Sequence, residues 1–220
     1  LAEDTIVIFT SDNGCSKAAN IENLAEKGLR VSGLYRGSKA DLWEGGHRVP
    51  FFARWPGEIP PDSHYNETIC LTDFFATVVD LLIDDIPDTS AEDSVSFLSA
   101  FYDQPLVADR NGLIHSSISG HFGYRMRHWK LLLSRGSGGW TSPKESEAKQ
   151  QKLPTYQHYD MSTDPTERPN LGSEQREIAH HLYTLLRADI ERGRSTSGPD
   201  STNDTDAINV WKSGAPTPDL

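Results

Sequence analysis

The sequence has no apolar run long enough to cross a membrane as a helix. Its longest apolar stretches, residues 6–9 and 78–83, fall far short of the roughly 20 residues that a bilayer helix needs. The start does not resemble a signal peptide, and the chain opens at Leu1 without an initiator Met, a few residues before an apolar run. We therefore expect part of a globular protein, with an upstream portion cut away.

Cysteine is scarce, and the two cysteines show no metal-binding or redox spacing. Cys15 and Cys70 allow one disulfide at most, and neither belongs to a C-x-x-C pair. Each lies beside a turn or a helix start, where a buried structural thiol is commoner than a nucleophile. We assign neither cysteine a chemical role, and the redox compartment stays open.

Positive charge is also scarce, except in one window. Lys and Arg number 21 against 32 Asp and Glu, a net charge of −11, which argues against nucleic acid as a partner because phosphate binding needs a basic face. Residues 30–54 hold five cations against two anions, a net +3. A cleft there could attract a small anion, although a chance fluctuation of charge would give the same pattern.

The first part of the chain predicts an α/β layer. Residues 5–10 form an unbroken apolar and β-branched run, which is typical of a strand buried on both faces in a parallel sheet. Residues 49–55, closed by Pro56-Gly57, predict a second strand of the same layer. Thr72 is a candidate N-cap, and apolar residues at helical spacing predict a helix over 73–83 that packs on the sheet.

The later part predicts a small subdomain and a tail. Four short strands should form an antiparallel sheet, a Gly- and Ser-rich stretch should be a mobile loop, and a helix ending near Gly193 should cover the sheet. We expect an α/β portion over 1–110, the small sheet-and-helix subdomain over 111–193 and a polar extended tail over 194–220. The strands are predicted at 113–119, 124–127, 129–134 and 156–159, the loop at 137–152, and the helix face at Ile178, Leu182, Leu185, Leu186 and Ile190.

Asp12 and Asn13 follow the first predicted strand, at the sheet edge where ligands of α/β proteins usually bind. A carboxylate and an amide carbonyl are hard oxygen donors that suit Ca²⁺ or Mg²⁺. Two donors do not complete a site, because Ca²⁺ takes about 6 to 8 oxygens. The alternative is that Asp12-Asn13-Gly14 is only a turn.

Lys39 and His47 lie in the basic window, within a glycine-rich stretch that lets backbone and ligand approach closely. The Lys39 ammonium could neutralise charge on a sulfuryl or phosphoryl oxygen as a bond to it breaks. His47 could donate a hydrogen bond or move a proton near neutral pH. A solvated lysine and a packed histidine are the alternatives.

Taken in order, these segments resemble the formylglycine-dependent sulfatases of the arylsulfatase type. A strand ends in Ser11-Asp12-Asn13-Gly14, Lys39 follows about 25 residues later, and further motifs continue to about Arg192. These further motifs are Trp43-Glu44-Gly45-Gly46-His47-Arg48-Val49-Pro50, Trp55-Pro56-Gly57, Thr72-Asp73, Trp129-Lys130-Leu131, and Tyr159-Asp160-Met161-Ser162-Thr163-Asp164-Pro165 with Glu167, Asn170 and Leu171.

The resemblance implies part of an alkaline-phosphatase-like mixed sheet between helices, plus a small C-terminal antiparallel sheet packed with a helix. Asp12 and Asn13 match the family's divalent-metal ligands, usually calcium with magnesium as an alternative, and Lys39 matches a catalytic lysine that contacts the sulfate group. Glu44 matches a structural turn, and His47 is kept as a substrate contact. The implied substrate is a sulfated small molecule or glycan, and family habit suggests export.

The sequence departs from the family in one respect, because it contains no C/S-x-P-x-R motif from which a formylglycine nucleophile is made. We expect that motif upstream, in the missing N-terminal half of the enzyme, and we expect this polypeptide alone to hydrolyse nothing. Two alternatives stay open. One is a phosphatase or phosphonate hydrolase of the same superfamily, and the other is a non-catalytic module that binds sulfated glycans.

Overall fold

A computed structural model of the chain describes residues 1–106, 110–205 and 207–212. The chain divides into two compact units, one formed by residues 1–10, 50–113 and 188–206, the other by residues 11–49, 114–187 and 207–220. The domain boundaries near 110 and 193 stay predictions.

The described residues form strands β1 (Val7–Thr10), β2 (Phe51–Arg54), β3 (Leu113–Ser116), β4 (Phe122–Met126), β5 (Trp129–Leu132) and β6 (Gln157–Asp160), and helices α1 (Ile21–Glu26), α2 (Glu44–His47), α3 (Asp73–Leu81), α4 (Glu145–Gln150) and α5 (Arg176–Arg192).

The first unit contains the two predicted strands of one sheet, but their pairing corrects the prediction. β1 and β2 run antiparallel, with Val7 opposite Arg54 and Thr10 opposite Phe51. An unbroken apolar run predicts a strand, but it does not fix the direction of the neighbouring strand. The parallel direction was expected because strands buried on both faces are typical of parallel sheets. Within the described residues β1 is not buried on both faces either, since Val7 is 52% and Phe9 is 64% exposed.

The helix predicted after Thr72 is confirmed as α3, but polar residues anchor it. Asp73 is buried, and its carboxylate accepts two hydrogen bonds from the Arg110 guanidinium, at 2.6 and 2.7 Å. Thr77 is also buried and accepts from the Phe97 backbone N–H. Apolar side chains of α3 face β1 across a cavity of about 180 Å³, which is lined by Ile6, Ile8, Phe74, Thr77, Val78, Leu81 and Phe101.

The second unit contains the predicted small antiparallel sheet, with the strand order β3-β4-β5-β6. β5 pairs with both neighbours, placing Arg125 opposite Lys130 and Lys130 opposite Tyr159. The core joins this sheet to the segment before α2, so that the glycine-rich stretch rests on the sheet. Its apolar members are Leu42, Trp43, Leu132, Tyr159 and Met161.

The segment predicted as a mobile loop, residues 137–152, is partly helical, which corrects that prediction. It contains α4, whose Ala148 is fully buried, and α4 begins with a hydrogen bond from the Lys144 N–H to the Glu147 side chain. Ser137 is also fully buried. Composition missed this because one buried alanine and the hydrogen bond from the Lys144 N–H to Glu147 stabilise a helix too short to show periodicity.

The predicted helix near the end is confirmed as α5, which buries Ala179, Leu182 and Leu186 and is followed by Gly193 at φ 66°. A positive φ suits glycine and ends the helix. No helix in the described part of the chain combines the length and apolarity needed to span a bilayer.

Candidate active site

The segment that follows β1, residues 11–15, and the glycine-rich segment that carries Lys39, residues 36–48, are held together by backbone hydrogen bonds within the second unit. The Gly14 N–H donates to the Gly46 carbonyl at 2.9 Å, and the Lys39 N–H donates to the Cys15 carbonyl at 3.0 Å. A side chain at Gly14 would collide with the Gly45 carbonyl. The close approach therefore requires glycine at this position, and it brings the predicted metal ligands and the predicted sulfate-binding lysine to one place.

Asp12 and Asn13 offer oxygens at this place. The Asp12 side chain is exposed, and no hydrogen bond or ion pair of its carboxylate occurs in the described part of the chain. The Asn13 amide N–H donates to the Gly14 carbonyl at 3.0 Å, which leaves its side-chain oxygen as an acceptor. Both donors suit a hard divalent cation. Within residues 1–106, 110–205 and 207–212, no group of three His, Cys, Asp or Glu side chains could hold a metal ion. The role of Asp12 and Asn13 as metal ligands stays a prediction.

Lys39 stands on a tight turn that is stabilised by Asp41. The buried Asp41 carboxylate accepts hydrogen bonds from the backbone N–H groups of Ser38 at 2.8 Å, Trp140 at 2.8 Å and Thr141 at 3.0 Å. Ala40, between the two charged residues, has φ 83°, a conformation that costs about 1–3 kcal/mol for a non-glycine residue. The surrounding hydrogen bonds hold the turn, so Lys39 is presented from a fixed backbone.

The Lys39 side chain itself is half-buried, and its ammonium makes no hydrogen bond or ion pair with any described residue. A half-buried cation without a counter-charge attracts an anion, because partial removal from water strengthens its field. This is the electrostatic arrangement expected for a residue that contacts a sulfate or phosphate group.

Glu44, Lys130 and Glu167 form a buried ion cluster beside this turn. Lys130 is fully buried, and its Nζ lies 2.8 Å from Glu44 Oε1 and 2.8 Å from Glu167 Oε1. The second Glu167 oxygen accepts from the Glu44 backbone N–H at 2.7 Å. Arg48 and Arg125 add positive charge, at 3.1 and 3.7 Å from the Glu44 carboxylate. The cluster fixes the first turn of α2, which carries Gly45 and Gly46.

The two carboxyl groups of this cluster have opposite pKa shifts. Burial opposes ionisation of Glu44, but the Lys130 ammonium and His47 together hold the pKa of Glu44 far below its usual range. Burial raises the pKa of Glu167 despite the attraction of Lys130, and the Glu44 charge adds to the rise. Glu44 is therefore the firmly ionised partner of Lys130.

The structure places His47 in this cluster. Its Nε2 lies 3.2 Å from the Lys130 Nζ and 3.4 Å from Glu44 Oε1, and its ring packs 4.3 Å from the His115 ring. Burial and the Lys130 charge lower the pKa of His47 to about 4. A neutral ring with its proton on Nδ1 lets Nε2 accept the third proton of the ammonium. The role of His47 as a substrate contact stays a prediction.

Sequence reasoning gave no role to Lys130 and Glu167, although both belong to quoted motifs, and it missed Asp41. Lys130 lies 86 residues from Glu44 and Glu167 lies 123 residues from it, so no local pattern could join them. The available signal was a lysine in the middle of an apolar strand, Trp129-Lys130-Leu131. Such a residue must be paired when the strand is buried.

The chain is similar to known sulfatases. The Sulfatase family model matches residues 1–84. An N-acetylgalactosamine-6-O-sulfatase of Bacteroides thetaiotaomicron is 27% identical over 194 residues, which cover 86% of this chain and 37% of that protein. Steryl-sulfatase of Mus musculus is 42% identical over 90 residues, which cover 40% of this chain and 14% of that protein.

Solved structures show the same fold. A Bacteroides thetaiotaomicron structure, from work on the metabolism of multiple glycosaminoglycans, superposes with a TM-score of 0.70 at 25% identity, over 87% of this chain and 40% of that one. A sulfatase of Pseudoalteromonas sp. superposes with a TM-score of 0.63 at 20% identity, over 86% and 37%. The fold is thus the α/β fold of the alkaline-phosphatase-like class. The relatives that the chain matches are sulfatases, and the chain spans between about a seventh and two fifths of their length.

Replacing Lys130 by Met should destabilise the protein by about 3–5 kcal/mol, because two buried carboxylates lose their shared cation. Guanidinium unfolding at pH 7 measures the loss. Lys149→Met, which makes the same change at an exposed position of α4, should cost less than about 0.5 kcal/mol. Equal unfolding midpoints for the two variants would contradict the cluster's structural role.

Acidification from pH 6.5 to 4 should destabilise the protein through His47. The pKa of His47 is about 4 in the folded state against 6.5 ordinarily, so only the unfolded state gains a proton in this interval. The stability that His47 contributes is complete above pH 6.5 and is lost as the pH falls toward 4. Unfolding midpoints across this range should decline less steeply in His47→Gln, which keeps an acceptor for Lys130. Parallel declines in the two proteins would refute the assignment.

Proposed function

We propose that the protein to which this chain belongs is a sulfuric ester hydrolase that cleaves sulfate esters. The observation that carries the proposal is the junction of the Asp12-Asn13 segment with the Lys39 turn, which gathers hard oxygen donors and an unpaired cation within a sulfatase fold. A sulfate ester needs both, because negative charge grows on its oxygens as the S–O bond to the alcohol breaks.

The roles divide among the residues as follows. Lys39 holds a sulfate oxygen and stabilises the charge that develops on it in the transition state. Asp12 and Asn13 would hold a divalent ion, calcium or magnesium, which when bound supplies further positive charge to the same group. His47 contacts the substrate only if the ligand reaches the rim of the Glu44 cluster.

The nucleophile belongs to a part of the protein outside this sequence. A formylglycine made from Cys or Ser would serve, since its hydrated form offers one oxygen to attack sulfur and a second to expel the sulfate afterwards. The missing N-terminal half of the same enzyme is therefore the expected partner of this chain, and the polypeptide alone should be inactive. Relatives named for sulfated sugars and sterols support a sulfated small molecule or glycan as substrate. Export of the enzyme belongs to the same proposal and rests on family habit alone.

Lys39→Ala should lower sulfate release by about a hundredfold or more, the loss seen when one electrostatic stabiliser is removed. The measurement uses the full-length protein, co-expressed with formylglycine-generating machinery, on a chromogenic aryl sulfate with Ca²⁺. Lys27→Ala, an exposed lysine of the same unit, is the matched control and should retain activity. If the parent cleaves only phosphate esters, the phosphatase alternative replaces the proposal; an unimpaired Lys39→Ala variant would remove the role of Lys39.

Asp12→Asn should shift the dependence of activity on Ca²⁺ to higher concentration by about tenfold or more, because an anionic ligand becomes neutral. Activity measured against a series of buffered Ca²⁺ concentrations gives the half-activating value. Glu26→Gln makes the same charge change at an exposed residue of α1 and should leave that value unchanged. A shift of equal size in both variants would mean that net charge, and not ligation, is responsible.

A further inference from the structure

The turn that carries Lys39 has a conformation that its own sequence does not favour. The Asp41 N–H donates to the Ser38 carbonyl at 3.1 Å, which closes a four-residue turn with Lys39 and Ala40 at its two central positions. Ala40 has φ 83°, and a turn with a positive φ at this position normally has glycine or asparagine there. A further interaction is therefore needed to hold the turn in this form.

The Asp41 carboxylate supplies that interaction, both within the turn and to a distant segment. One oxygen accepts from the Ser38 N–H at the start of the turn. The other accepts from the N–H groups of Trp140 and Thr141, which lie 99 and 100 residues further along the chain. The Ser38 hydroxyl also lies 3.2 Å from the Thr141 hydroxyl. Because hydrogen bonds to a charged acceptor are roughly twice as strong as neutral ones, the buried carboxylate is the main fastening between the two segments.

The location of the Lys39 charge depends on this backbone. The Lys39 N–H donates to the Cys15 carbonyl at 3.0 Å, and the Ala40 carbonyl accepts from the Ile118 N–H at 3.1 Å. The Lys39 ammonium, by contrast, has no hydrogen-bond or ion-pair partner among the described residues. Within that part of the chain, the ammonium is therefore located by the turn and not by contacts of its own.

We propose that Asp41 is a positioning residue, which holds the turn of residues 38–41 so that the Lys39 ammonium meets the sulfate group of the substrate. The inference rests on the proposed sulfatase function and adds a residue that acts through Lys39 alone. Misplacing a reacting group by about 1 Å can cost on the order of a hundredfold in rate. Because Lys39 stabilises charge in the transition state, release of the turn should lower kcat more than it raises KM.

Asp41→Asn tests the proposal, because it keeps the shape of the side chain but removes its charge and one of its two accepting oxygens. In the full-length protein it should lower kcat on a chromogenic aryl sulfate with Ca²⁺ by about tenfold or more. Asp160→Asn is the matched control in the same unit, where the carboxylate accepts from the Ser162 N–H at 2.9 Å, and it should retain activity. Circular dichroism checks folding. If Asp41→Asn does not fold, Ser38→Ala, which removes only the hydroxyl contact with Thr141, should lower kcat in the same direction by a smaller factor.

Two further comparisons separate positioning from a general loss of stability. Glycine adopts a positive φ without strain, so Ala40→Gly combined with Asp41→Asn should recover most of the kcat that Asp41→Asn loses. In a Lys39→Ala background, Asp41→Asn or Ser38→Ala should lower kcat by less than about twofold, because each effect passes through Lys39. Equal losses with and without Lys39, or no recovery with Ala40→Gly, would overturn the positioning role.

These outcomes are distinct from a failure of the proposed function. If the parent cleaves sulfate esters but the losses are equal in the two backgrounds, the sulfatase function stands and the role of Asp41 is wrong. If the parent cleaves only phosphate esters, the sulfatase function fails, and the same set of variants measured on a phosphate ester still decides whether Asp41 positions Lys39.

Discussion

The second unit depends on one buried ammonium group, that of Lys130. Removing a charge from water costs several kcal/mol unless partners replace its hydration. Here Glu44 and the neutral His47 ring accept hydrogen bonds from the ammonium, and the Glu167 carboxylate forms an ion pair with it at 2.8 Å. Lys130 lies on β5, Glu44 and His47 lie on α2, and Glu167 lies in the segment after β6. The ion cluster therefore specifies how three distant pieces of chain meet. A hydrophobic contact of similar size would hold them less specifically.

The cluster is connected to the candidate site through α2. A helix of four residues has no stability of its own, so its position depends on Glu44, whose side chain and backbone both bind the cluster. The next two residues are glycines, and the carbonyl of Gly46 accepts from Gly14 beside Asp12 and Asn13. The position of the Asp12-Asn13 segment is thus fixed relative to the small sheet through the buried ion pair of Lys130 with Glu44.

Local patterns predicted the elements well and the long-range contacts poorly. The small sheet, α3 and the end of α5 at Gly193 follow from apolar spacing and turn residues, which act over a few positions. The direction of β1 relative to β2, the helix in 137–152 and the Lys130 cluster depend on partners far away in sequence. The resemblance gathered Asp12, Asn13 and Lys39 into one site, but it could not show that Asp41 holds the turn that presents Lys39.

Whether a charged side chain is structural or functional follows from how its hydrogen-bonding capacity is used. Glu44, Asp41 and Lys130 are buried and form hydrogen bonds with other parts of the chain. Asp12 and Lys39 are at least partly exposed and have no such partners in the described residues. Two groups of opposite charge, held by a shared backbone frame and not paired with each other, are suited to a cation and an anion that bind together. A metal ion with a sulfate ester is such a combination, and this is the physical basis of the proposed sulfatase function.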